Sequence, residues 1–151
     1  MADRRNDSNR DRTMDNIIME IDRLNSLSEL KPKKYADEKG YADRIAKHFS
    51  KGRDDSEKLN SNQLRKFFGA IRDIESKDED WEEIEPQFYL LKPKLAVSVG
   101  RKLIPRDFHR LMMVCMSKID IGNNEHNFKN FKVFVNFLEA IVAYSKYHNP
   151  K

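Results

Sequence analysis

Five basic side chains are spaced so that they could act together. Arg65, Gly69, Arg72 and Ser76 follow one another at intervals of four, three and four residues, the repeat that keeps positions on one side of an α-helix. At ~1.5 Å per residue, Arg65 and Arg72 stand about 10 Å apart along the axis. Lys66 belongs to the same segment, and Lys94 and Arg101, seven residues apart, share a side of the next. Guanidinium and ammonium groups set out in short lines can donate charge-assisted hydrogen bonds to phosphate oxygens. The same lines also fit plain solvated helix faces. Glycine at position 69 costs an exposed helix up to about 1 kcal/mol. Two explanations stand equal: it lets a partner's backbone come close, or it lets another helix of the chain pack tightly.

Catalytic constellations are absent. His48, His109, His126 and His148 are scattered, and there is no H-E-x-x-H and no C-x-x-C, so no zinc site is expected. His109 and Cys115 lie six positions apart on one expected helix and point to different sides. No G-x-S-x-G, P-loop or G-x-G-x-x-G occurs. Val99-Gly100-Arg101 follows a helix, not a strand, and is no phosphate loop. Asp73 to Glu85 holds eight carboxylates against one lysine, Lys77, yet lacks the D-x-[DN]-x-[DN]-G spacing of a calcium loop. The expectation is a non-enzyme with no catalytic residues, no metal and no cofactor.

The elements that must position the basic lines are helices. Phe128 to Tyr147 sets Phe128, Phe131, Phe134, Val135, Leu138, Ile141 and Val142 on one face and Val133, Phe137, Ala140 and Tyr144 on a second. Only Lys129, Lys132, Asn136, Glu139 and Lys146 are left for water, which marks a central helix with neighbours on both sides. Upstream, Thr13 is expected to cap a first helix through Leu24. Leu30 to Lys34 breaks the chain before a second helix, Tyr35 to Ser50, and Lys51 to Lys58 reads as an exposed loop. Asn60 as N-cap, Gln63 three residues on and Leu59 paired with Leu64 form a capping box and staple. The helix they open buries Leu64, Phe67, Phe68, Ile71 and Ile74. A fourth helix, Trp81 to Val99, faces inward through Trp81, Ile84, Phe88, Leu91, Leu95 and Val99. Pro86 could mark its first turn, Pro93 should kink it, and Gly100 should close it. Asp107 to Ile119 is a fifth, with Cys115 and the methionines as core filler. The expected fold is all-α, a compact bundle of five to six helices around the C-terminal one. Residues 1–12 should be a mobile tail and 13–151 a single domain.

Composition agrees. With 151 residues, 36% charged and 38% hydrophobic, one domain can bury roughly 70% of its unfolded surface. A single cysteine permits no internal disulfide and suits a reducing cytoplasm. The longest apolar run, Leu111 to Met116, is six residues, so no membrane span is expected. Charge is unevenly spread. Residues 1–58 carry 14 basic and 13 acidic side chains, 59–90 carry 4 and 8, and 91–151 carry 11 and 4. The last third could face a polyanion.

Three segments, LNSNQLRKFF (Leu59 to Phe68), LLKPKLAVSVGR (Leu90 to Arg101) and FLEAIVAYSKY (Phe137 to Tyr147), resemble in order and spacing the small subunit of the type III-A CRISPR effector, the Csm complex. The resemblance runs from Leu59 onward; the first 58 residues carry little of it. It implies an all-helical, non-catalytic subunit, several copies of which stack inside a ribonucleoprotein filament beside a guide RNA paired to its target RNA. Other subunits of such complexes do the chemistry. On this resemblance Arg65, Lys92 and Arg101 take the family's basic positions, while Lys66, Arg72 and Lys94 rest on the helical-face argument alone. Gln63 stands where the family often has lysine, Val99 replaces alanine, and Pro93 falls where no proline is expected. The rival reading is a packing subunit that touches only proteins.

Overall fold

The computed structural model describes residues 11–52, 58–77 and 80–149, and among these there is no strand. Seven α-helices follow in order: α1 (Thr13–Asp22), α2 (Pro32–Tyr35), α3 (Tyr41–Ser50), α4 (Ser61–Glu75), α5 (Trp81–Gly100), α6 (Arg106–Met116) and α7 (Asn124–His148), with a 3-10 turn at Leu27–Glu29. The fold is the all-α bundle that the periodicity demands; the helix beyond the expected count is the four-residue α2.

The centre is α7. It packs against α2, α3, α4, α5 and the 3-10 turn, while α6 packs on α1 and α5. Phe131, Phe134, Val135, Phe137, Leu138 and Ile141 are buried, and the polar strip of Lys129, Lys132, Asn136, Glu139 and Lys146 is exposed. Two asparagines inside this apolar helix hold its surroundings. Asn130 accepts from the Ser28 amide at 2.8 Å and donates to the Ile119 carbonyl at 3.1 Å. Asn127 accepts from the Ile121 and Gly122 amides at 3.0 and 2.8 Å and donates to Asp120 at 2.9 Å. Buried amides persist where all their hydrogen bonds are met, and here they fix two loops to one helix.

Four local expectations are corrected. The helix expected over Tyr35 to Ser50 begins only at Tyr41, as α3, and the short α2 instead falls mostly inside the Leu30 to Lys34 segment expected to be a break. The chain turns at Lys39, φ 61°, and Gly40, where a Cβ would meet the carbonyl oxygens of Asp37 and Lys34 at 2.7 and 2.8 Å. Thr13 is the first helical residue, not the cap; its amide and hydroxyl donate to Asp11 at 2.9 and 2.6 Å. Those two bonds, chiefly the hydroxyl's, outweigh burial and hold the Asp11 carboxyl at about 2, with His48 adding a smaller part. Pro86 does not mark the start of α5, which begins five residues earlier at Trp81 and carries both prolines on its exposed side. Gly100 is the last residue of α5, but the left-handed position beyond it belongs to Lys102, φ 60°. Leu103 donates to Ser98 at 2.8 Å and Lys102 to Val99 at 2.9 Å, the bond pair of a Schellman closure with lysine where glycine is usual. Of the expected tail, residues 1–10 lie outside the described residues, as do 53–57 of the expected loop.

Candidate nucleic-acid interface

The start of α4 is built as its sequence requires. Asn60 Oδ1 accepts from the amides of Asn62 at 2.9 Å and Gln63 at 3.2 Å, and Leu64 is buried with Leu59 packed against the core. Leu64, Phe67, Ile71 and Ile74 face inward, which turns Arg65, Lys66, Gly69, Arg72 and Ser76 outward. Arg65 and Lys66 are exposed. A Cβ on Gly69 would meet nothing within 4 Å. Tight packing against another helix of this chain therefore does not account for the glycine.

Neighbours divide the basic residues. On one side of α4, Arg72 lies 3.7 Å from Glu139 of α7, with both side chains about half exposed, and its guanidinium sits 5.8 Å from the Phe68 ring centre. On the other side, Lys66 and Lys94 line a shallow groove of about 140 Å³ between α4 and α5, floored by Phe67, Leu91 and Leu95. Arg101 is exposed one residue past α5. Lys92 is set apart. It occupies the opposite flank of α5 from Lys94, and its ammonium lies 5.0 Å from the Tyr89 ring centre. Tyr89 in turn donates to Asp120 at 2.5 Å, and Trp81 donates to the same carboxylate at 3.2 Å. The Asp120 hydrogen bond, with burial second, pushes the Tyr89 phenol up to about 12. So Arg65 and Arg72 share one outer line of α4, Lys66 and Lys94 line the groove on its other side, and Lys92 does not join them.

Some basic residues beside this face escape a reading by single helices. The Arg72–Glu139 pair brings the exposed strip of α7, with Lys129, Lys132 and Lys146, next to the arginine line. Lys58 and Lys102 meet at the head of α4, lining a hollow of about 390 Å³ with Asn60 and Asn62. The α7 lysines are visible in sequence as a solvated strip. Their adjacency to Arg72 depends on which helices pack together.

Cys115 is fully buried, and burial pushes its thiol up. No group of three or more His, Cys, Asp or Glu could hold a metal ion, and no helix is long and apolar enough to cross a membrane, among the described residues. No curated protein and no solved structure matches the chain. The family model described as Csm2 Type III-A matches residues 32–151, reaching further towards the N-terminus than the resemblance that begins at Leu59. The chain belongs to the Csm2 Type III-A family, the small subunits of the type III-A CRISPR effector, the Csm complex.

Proposed function

We propose that this subunit is a non-catalytic clamp on the sugar–phosphate backbone of a guide RNA paired to its target RNA, working in the cytoplasm. Its other contacts are with further effector subunits and with copies of itself in the filament. The observation that carries the reading is the open Arg65–Gly69–Arg72 line: two guanidinium groups on one outer face, with space between them that none of the described residues fills. Arg65 and Arg101 donate to phosphates, and Lys66, Arg72 and Lys94 assist; Lys92, on the opposite flank of α5, reaches a phosphate apart from theirs. Because such contacts read no bases, affinity is set by backbone charge and barely by sequence, which base pairing supplies.

One observation favours a second reading, a packing subunit that touches only proteins: Arg72 already has a carboxylate partner in Glu139. Photo-crosslinking of the RNA within the assembled complex separates the two. The clamp predicts crosslinks to α4 and the end of α5, reduced by Arg65→Ala and Arg101→Ala in complexes of normal composition. Absence of any crosslink to this subunit, with assembly defects in both variants, would favour the packing reading.

A further inference from the structure

Tyr147 is the most exposed large apolar side chain among the described residues, at 76%. It stands on the last turn of α7, at the rim of a groove of about 720 Å³ between α7 and α3, a volume in the range of small-ligand sites. The His148 ring meets it at 75° with centres 5.1 Å apart, and so much exposure leaves an aromatic face open. Ala143, one turn earlier, lines the groove with only a methyl group; a longer side chain there would take up the space beside the ring. Tyr144 completes this wall and is held in place, its hydroxyl donating to the Ala36 carbonyl at 2.7 Å.

The other wall is basic. Lys39, Arg44 and Lys47 line it, and none of the three forms an ion pair among the described residues. Asp43 beside them is already engaged: His148 Nε2 stands 2.5 Å from one carboxylate oxygen, and the Lys39 amide donates to the other at 2.8 Å. Lys39 is set by its left-handed backbone, φ 61°, and Arg44 and Lys47 follow one turn apart on α3. Glu38, at the same rim, keeps its carboxylate free to accept hydrogen bonds. An open ring across from unpaired cations suits a ligand that is aromatic at one end and anionic at the other. Three cations match a doubly charged phosphate better than a carboxylate, and Glu38 suits a hydroxylated link between the two ends. We propose that this groove is a nucleotide site. An unpaired base stacks on Tyr147, ribose hydroxyls donate to Glu38, and Lys39, Arg44 and Lys47 hold the phosphate. A duplex offers no such base, because its bases are stacked and paired. The ligand is therefore a free nucleotide or the unpaired end of a strand, and the site does not depend on the clamp proposed for α4.

Titration of the full chain with adenosine monophosphate (AMP), followed by amide NMR shifts, tests it. Saturable shifts should gather at residues 38–47 and 143–148, which frame the groove. Ribose 5-phosphate, which lacks the base, and adenosine, which lacks the phosphate, should each bind about tenfold more weakly or worse. Tyr147→Ala should weaken AMP binding about tenfold, and Tyr147→Phe should retain it. Lys47→Ala should weaken it several-fold and make it less sensitive to salt. Tyr147 and Lys47 are exposed, so circular dichroism should show an unchanged fold. A short single-stranded RNA ending in a 5′-adenylate separates the two sources. No gain over AMP marks a site for the free nucleotide, tighter binding marks a site for the strand end, and both uphold the base-and-phosphate reading. Absence of saturable shifts in the groove at millimolar AMP, ribose 5-phosphate bound as tightly as AMP, or Tyr147→Ala without effect would each overturn the proposal.

Discussion

The outer faces of α4 and α5 share a spacing and differ in chemistry. Each carries residues at alternating intervals of four and three, and each includes a glycine with open space above it. On α4 the line is Arg65, Gly69, Arg72 and Ser76; on α5 it is Pro86, Leu90, Pro93, Val97 and Gly100. A polar line with fixed positive charge suits a wet, charged partner, because guanidinium groups keep their hydration until a phosphate replaces it. An apolar line suits a dry one. Helical spacing alone says only that residues face one way. What they are decides what they face.

The largest test removes the support common to both faces. Phe134 is fully buried in α7, and Phe134→Ala should cost about 3–5 kcal/mol in chemical denaturation. If the faces rest on one core, RNA binding and assembly into the effector should disappear together as the fold melts; disappearance of only one would mean that the faces are supported independently.

A finer cut comes at Gly69. Alanine there meets no neighbour among the described residues, so Gly69→Ala should stabilise the isolated subunit by about 0.5–1 kcal/mol. If the space belongs to RNA, the same substitution should weaken RNA binding. Greater stability with unchanged affinity would remove the clamp's reason for the glycine.

Glu139 offers a change of opposite sign. It lies 3.7 Å from Arg72 in a half-exposed pair, and such pairs contribute little to stability. Glu139→Gln should leave the unfolding midpoint nearly unchanged and tighten RNA binding roughly two- to fivefold, by releasing Arg72 and removing a repelling charge. An Arg72→Ala background should abolish most of that gain, as a double-mutant cycle would show.

The smallest effect concerns Lys92, which α5 holds beside Tyr89 and away from Lys94. The Tyr89 phenol is raised to about 12 by Asp120. A raised folded-state value means that its contribution is fully present below the unfolded value near 10 and fades as pH climbs through about 12. Ultraviolet titration should show this tyrosine ionising late, and Asp120→Asn should bring it down. If Tyr89 ionises near the ordinary phenol value of about 10, the Tyr89–Asp120 tether is absent in solution.

The sequence is informative about this molecule where one helix suffices. The capped start of α4, the burial of Phe131, Phe134 and Leu138, and the all-α class follow from periodicity and cap chemistry. The break at Gly40 is hidden because Tyr41, Ala42, Ile45 and Phe49 keep a regular helical pattern just beyond it, while a tight turn is decided by carbonyls that a sequence does not place. Pairing across helices is equally hidden. Arg72 looks like Arg65 until Glu139 is set beside it, and Lys92 looks like Lys94 until α4 packs beside Lys94 and leaves Lys92 on the far flank of α5. The exposed stripe of Leu90 and Val97 is masked by the inward face of α5, since a helix carrying two apolar sides shows weak contrast between them.

The central claim is that fixed positive charge on this bundle is directed at phosphates. It is tested most directly by the salt dependence of binding to a paired guide–target RNA. Each arginine that neutralises one phosphate contributes about 0.7–0.9 to the slope of log affinity against log salt. Arg65→Ala combined with Arg101→Ala, in folded protein, should therefore reduce that slope by about 1.4–1.8. An unchanged slope in the double variant would contradict the claim.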